Sequence, residues 1–281
     1  MFIKSLIYGI VQGLCEFLPI SSSGHLALLH NLMGGVAADD SLAFDLFLHL
    51  GTLAAVFVVY RKDIAHLIVA FFTLVGKLFR GNFHYSSYTA DERMVICMLI
   101  AAIPLIPAAF LENYVEAVSQ NLLALGIIFI INSIMLFVSD FIPKGDVTED
   151  GFKPKNALII GLSQIIAVFP GLSRSGTTVT AGLTQKLDRA FAVKFSFLMS
   201  IPTILGGCIL KIPDFVETAG SADKSVLISA LVGALAAALV GAAAMKLLTY
   251  VAKIGKFGYF AIYTAMLGTL SVALYIFGNS I

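Results

Sequence analysis

The stretch Gln12 to His25, QGLCEFLPISSSGH, sets an acid, a proline, consecutive serines, a glycine and a histidine between segments apolar enough for a lipid bilayer. Hydrocarbon gives such groups no water. An acid and a histidine at that depth must pair, face a wet cavity or do chemistry. Any fold open to this chain has to bring polar partners to them.

A second stretch, Gly161 to Thr178, reads GLSQIIAVFPGLSRSGTT and echoes the first. Gly9, Gln12 and Phe17 recur in order as Gly161, Gln164 and Phe169, and Ser21, Ser23 and Gly24 recur as Ser173, Ser175 and Gly176. Downstream, Phe44 and Thr52 fall against Phe195 and Thr203. An ordered run of identities repeated about half a chain apart is the mark of an internal duplication. The two copies differ in chemistry, with Ser22 opposite Arg174 and His25 opposite Thr177.

With 59% hydrophobic and 12% charged residues over 281 positions, and mean hydropathy of +0.95, the surface is not that of a soluble domain. The expectation is an all-α polytopic membrane protein. Net charge is +1 and no basic patch points to nucleic acid. The first apolar run is broken by Gln12 and Glu16 and meets Pro19 rather than a small-residue cleavage site, so it does not read as a cleaved signal. Cys15, Cys97 and Cys208 are scattered through apolar segments and read as small buried side chains, without disulfide or metal spacing.

Residues 2–18 form a helix of about 25 Å at 1.5 Å per residue, short of a comfortable span, and residues 26–33 form a shorter one. Two half-length helices joined by a polar break suggest a re-entrant pair, and 156–186 suggests another. Full spans are expected at 42–60, 94–111, 121–142, 194–211, 225–249 and 258–279, with an interfacial helix at 64–80. The first repeat is then 1–142, the linker 143–155 and the second repeat 156–281, in one integrated membrane domain. Three crossings per repeat is an odd number, so the repeats sit inverted. Of the 18 Lys and Arg, all but Lys4, Arg174, Lys211 and Lys224 fall on the side of the linker. The positive-inside rule makes that side cytoplasmic and turns both termini outward.

Gln12 and Glu16 lie one turn apart on a helix face. Glu16 suits a capping or pairing role, or a carboxylate aimed into a cavity as metal ligand or proton acceptor. A metal there would need the substrate's oxygens as co-ligands, as Mg²⁺ commonly does. Ser21, Ser22, Ser23 and Gly24 lead into a helix whose free N–H groups make an anion site. His25 could activate a neighbouring hydroxyl or protonate a leaving oxygen. Arg174 is the one basic residue expected at membrane depth. Its planar fork suits phosphate, with Ser173, Ser175, Thr177 and Thr178 as further donors. Asp45 and His49 are expected to line or cap the cavity.

QGLCEFLPISSSGH and PGLSRSGTT closely resemble the two signature motifs of the undecaprenyl-diphosphate phosphatase family, also called bacitracin-resistance proteins, and the resemblance runs over essentially the whole chain. It implies an inverted repeat with two re-entrant loops in the cytoplasmic membrane. The active site is expected to open outward, and the activity to remove the terminal phosphate of a C55 polyprenyl diphosphate. It makes Glu16 a catalytic acid, Ser22 the candidate nucleophile and His25 its base or an alternative nucleophile. Arg174 becomes the diphosphate clamp, with Ser173 and Thr178 beside it. The family's first motif begins with Glu or Gln. The neutral Gln12 here is at most a positioning or metal-supporting group, with Ser21, Ser23, Ser175 and Thr177 as substrate contacts. The resemblance also implies a divalent cation, Mg²⁺ or Ca²⁺, tentatively on Glu16. The expected partners are the polyprenyl diphosphate and the membrane, and a homodimer is left open.

The rival from another class is a lipid-phosphate transporter or flippase, which would use the same anion site without a nucleophile. A membrane acid phosphatase of the superfamily using SGH and SR motifs would need a further histidine and aspartate after Ser173-Arg174, which the sequence lacks.

Overall fold

The computed structural model describes residues 2–33, 38–81, 84–212 and 224–278, all helix, turn and loop. Residues 34–37, 82–83 and 213–223, and residue 279 of the last expected span, lie outside the described residues. Twelve α-helices are present among them: α1 (Phe2–Phe17), α2 (Ser22–Met33), α3 (Ala38–Val59), α4 (Arg61–Phe79), α5 (Ala90–Ala102), α6 (Glu112–Ser119), α7 (Leu122–Ser139), α8 (Pro154–Ile166), α9 (Arg174–Thr184), α10 (Arg189–Leu210), α11 (Lys224–Ile254) and α12 (Gly258–Gly278). Helices α7, α10, α11 and α12 are long and apolar enough to cross a membrane, and α3 adds the apolar run Phe44–Val59. The chain is a polytopic helical membrane protein.

The segment 94–111 is not the continuous span expected of it. Helix α5 stops at Ala102, and two 3₁₀ turns, Ile103–Leu105 and Pro107–Leu111, follow before α6. Pro104 and Pro107 are the cause, because each lacks an N–H and its ring clashes with the preceding turn. At 13 residues, α5 is about 20 Å long. Helix α4 begins at Arg61 and buries Ile64, Leu67, Ala70 and Leu74 along one stripe while Ile68, Val69, Phe72 and Phe79 stay exposed.

Packing centres on α11, which runs against both α1 and α3, while α7 and α12 pair along their lengths. Small residues let the backbones touch. A Cβ on Gly13 would sit 2.7 Å from the Ala237 carbonyl oxygen and 2.9 Å from the Gly241 nitrogen, so α1 and α11 meet backbone to backbone. With no hydrophobic gain between helices in lipid, such close contact is what holds them together. On the other flank α8 packs on α5, and α9 lies between α8 and α10. A cluster built on Phe17, Phe152, Phe195 and Phe197 fills the centre, with Phe17 edge-on to Phe197 at 5.4 Å between ring centres.

Candidate active site

The break between α1 and α2 and the break between α8 and α9 meet inside the protein. Each helix after the break starts on a serine. Ser173 caps α9 by accepting the Gly176 N–H at 3.2 Å, and Ser21 accepts the Gly24 N–H at 3.2 Å. The Ser21 hydroxyl also accepts the N–H of Gly171 from the opposite loop, at 3.0 Å. Ser21 does this from φ 71°, a left-handed conformation that costs energy for a residue with a side chain and persists where surroundings enforce it. Gly24 and Gly171 are in direct apposition: a Cβ on Gly24 would lie 2.7 Å from the Gly171 nitrogen. Asn132 of α7 clamps both loops, donating to the Pro19 carbonyl at 3.1 Å and accepting from the Ser173 N–H at 3.0 Å.

Glu16 is the hub of the polar groups so assembled. One carboxylate oxygen accepts from the Ser22 hydroxyl at 2.7 Å and from the Gln12 amide at 3.1 Å, and the other accepts from an N–H of Arg174. The Glu16–Arg174 pair is one charge from each loop, with the carboxylate side chain only 5% exposed. Ion pairing at that depth answers the desolvation of both groups. The second terminal nitrogen of Arg174, Nη1, is buried and has no hydrogen-bond partner among the described residues, and the same holds for Gln12 Oε1.

A cavity of about 250 Å³ opens on this hub. Its walls include Glu16, Ser21, Ser22 and Ser23 from the first loop, Ser173 and Arg174 from the second, His49 from α3 and Lys211 just beyond α10. Ser23 is exposed there, whereas the Ser21 hydroxyl is taken up by the two glycine N–H groups.

His25 is not brought to Ser22. Its Nδ1 lies 2.7 Å from the Ser21 carbonyl, which can only accept, so Nδ1 carries the proton. Nε2 then accepts from the Tyr263 hydroxyl of α12 at 2.7 Å. Both nitrogens are committed, and the ring fastens the start of α2 to α12. Ser175, Thr177 and Thr178 are also turned away from the cavity, toward the carbonyls of Leu18, Ser173 and Arg174, and Thr178 additionally meets Ser196 at 2.7 Å. They hold the second loop rather than line the pocket. Gln12 acts through Glu16. His49 lines the cavity as expected, and Asp45 is not among its walls.

The residues that sequence reading passed over are Asn132, Tyr263 and Lys211. Asn132 carried a signal, being the lone amide in the apolar run LLALGIIFIINSIMLFVS. Tyr263 carried none, because an aromatic in a spanning helix is ordinary.

Among the described residues no group of three or more His, Cys, Asp or Glu is arranged to hold a metal. One engaged carboxylate and one free amide oxygen fall short of the roughly six oxygens that Mg²⁺ or Ca²⁺ takes. The protein donors alone do not fit a resident divalent cation.

Comparison with known proteins agrees over the whole length. The family model described as bacitracin resistance protein BacA matches residues 5–270. The chain is 38% identical over 271 residues to a protein of Methanobrevibacter smithii named undecaprenyl-diphosphatase, covering 95% of each. It is 36% identical to the protein of that name from Methanosphaera stadtmanae, covering 97% of each. With the one from Parabacteroides distasonis it shares 37% identity, over 96% of this chain and 97% of the relative. Two loops with these motifs, joined through Glu16 and Arg174 in a chain that the family model matches over residues 5–270, make this protein a member of the bacitracin resistance protein BacA family.

Proposed function

We propose that the chain is an integral membrane phosphatase that hydrolyses undecaprenyl diphosphate to undecaprenyl phosphate and inorganic phosphate, so recycling the lipid carrier of cell-wall synthesis and conferring resistance to bacitracin. The observation that carries the reading is the Ser22 hydroxyl donating to a carboxylate oxygen of Glu16 while Arg174 holds the other. In this reading the Ser22 oxygen attacks the terminal phosphorus in line with the bridging oxygen. As the new P–O bond forms, the bond to the bridging oxygen breaks and its electron pair leaves with the lipid monophosphate. The Ser22 proton passes to Glu16. Water then hydrolyses the phosphoserine, restoring Ser22 and releasing phosphate. Arg174 Nη1 is available for a phosphate oxygen, and donors already in place lower the cost of the developing charge. His25 positions α2. A divalent cation would enter only as a companion of the substrate's phosphate oxygens, where it would screen their charge.

The inverted repeat is part of the same proposal, with halves 1–142 and 156–281 joined by 143–155. Exchange of partners supports it: α1 packs on α11 of the other half and α8 on α5, while α3 meets α10 and α7 meets α12. Gly9 and Gly161, which correspond in sequence, both lie against a helix of the other half, α11 at Ala236 and α5 at Ala101. The re-entrant pairs are supported by length. Helices α1, α2, α8 and α9 have 16, 12, 13 and 11 residues, each below the about 20 needed to cross. With the linker cytoplasmic, the cavity opens outward from the cytoplasmic membrane.

The test is Ser22→Ala in purified protein supplied with a polyprenyl diphosphate. The expected result is loss of phosphate release with lipid binding retained. A variant that still releases phosphate at the original rate overturns Ser22 as nucleophile, and a wild-type protein that moves lipid between leaflets without releasing phosphate makes the chain a flippase.

A further inference from the structure

The catalytic cavity carries a charge imbalance that the reaction itself exposes. Glu16 and Arg174 cancel one another. A diphosphate brings at least two further negative charges into a desolvated place, where unpaired charge is expensive. Besides Arg174, the basic groups on the cavity wall among the described residues are Lys211 and His49. Lys211 follows the last turn of α10, is half-buried, and forms no ion pair among the described residues. His49 has its Nδ1 held by the Asp45 carbonyl at 2.8 Å, which leaves Nε2 as its remaining hydrogen-bonding atom. Polar groups from α3 and from just beyond α10 thus line the same cavity as the loop donors.

We propose that Lys211 and His49 form a second phosphate subsite, which takes the lipid-side phosphate of a diphosphate while Arg174 and the Ser22 loop take the terminal one. This rests on the phosphatase reading and deepens it, because it gives the site a reason to prefer a diphosphate over a monophosphate. Lys211 supplies a full positive charge to the phosphate that becomes the leaving group. His49 Nε2, an acceptor while Nδ1 holds the ring proton against the Asp45 carbonyl, takes a hydrogen bond from a protonated oxygen of that phosphate. The protein-only donor set that falls short for a metal is what makes such side chains necessary: counter-charge for the second phosphate has to come from them or arrive with the substrate.

The experiment uses the full-length protein in detergent, with farnesyl diphosphate as substrate and methylenediphosphonate and inorganic phosphate as inhibitors. For Lys211→Gln and His49→Ala the expected result is a KM for the diphosphate raised roughly ten-fold to a hundred-fold, the span of a lost hydrogen bond to a charged group. Inhibition by methylenediphosphonate should weaken in parallel. Inhibition by inorganic phosphate, which fits the Arg174 end alone, should stay as it was. Lys211→Arg should recover most of the affinity, whereas Lys211→Met, which keeps an apolar stem without the charge, should not. Equal weakening toward both inhibitors, or unchanged KM in both variants, overturns the subsite. Failure of the wild-type protein to release phosphate overturns the phosphatase reading instead, so the two failures are told apart.

Discussion

Arg174 meets Glu16 through one nitrogen and keeps another free, and that geometry is what a lysine cannot copy. A guanidinium can hold the carboxylate and a phosphate at once, whereas an ammonium on a flexible stem is a single point of charge. Arg174→Lys is therefore expected to lose about 100-fold to 1,000-fold in turnover, nearly as much as Arg174→Ala. Phosphate release under saturating substrate measures it, and a lysine variant with most of its activity would reduce Arg174 to bulk charge. The His25–Tyr263 contact predicts a different pattern. Tyr263→Phe leaves Nε2 without its donor and should cost on the order of 1 kcal/mol of stability, with turnover reduced far less than in Ser22→Ala. Thermal unfolding and activity of the same preparation separate the two effects. The sequence showed which residues carry charge at depth, and both motifs were legible in it. It did not show that both His25 nitrogens are already taken, because a ring's partners are set by a helix that arrives 238 residues later.

The two loops are elements that depend on one another. Gly24 and Gly171 leave no room for a side chain between them, and Asn132 ties both backbones to α7. Gly24→Ala should push the loops apart and abolish activity while the helices still form, visible as normal helical content by circular dichroism with no phosphate release. Asn132→Leu should leave the Pro19 carbonyl and the Ser173 N–H unpaired, at about 1–3 kcal/mol for each buried group. Helix breaks and helix lengths in this region could be read from Pro19, Pro170 and the serines. The register between the loops could not, since it depends on which small residues face each other across the break. The same limit explains α5: apolar content alone made 94–111 look continuous, and the backbone consequence of Pro104 and Pro107 prevailed.

At the scale of the molecule, the distribution of Lys and Arg fixes orientation in the proposed topology. In a background lacking Cys15, Cys97 and Cys208, Gly151→Cys is expected to resist an impermeant thiol reagent in intact cells and to react once the cells are opened. Labelling in intact cells would reverse the orientation. The proposed division into halves rests in the sequence on the recurrence of Gly9, Gln12 and Phe17, while the packing of α1 with α11 and of α8 with α5 left no mark there. Pairing in a bilayer is decided by surface shape, and hydropathy reports only which helices are buried in lipid.

The ion pair at the centre of the site also governs how the protein is made. Glu16 and Arg174 are 158 residues apart in the chain, so at a synthesis rate of roughly 5–20 residues per second the acid emerges roughly 10 to 30 seconds before its partner. For that interval the acid of the first half lacks its ion-pair partner. It must stay protonated, remain wetted at the surface, or be sheltered by the insertion machinery until the arginine is delivered. Maturation of the nascent protein is thereby tied to completion of its second half, and a product truncated before Arg174 is left with an unanswered acid by which quality control can recognise it.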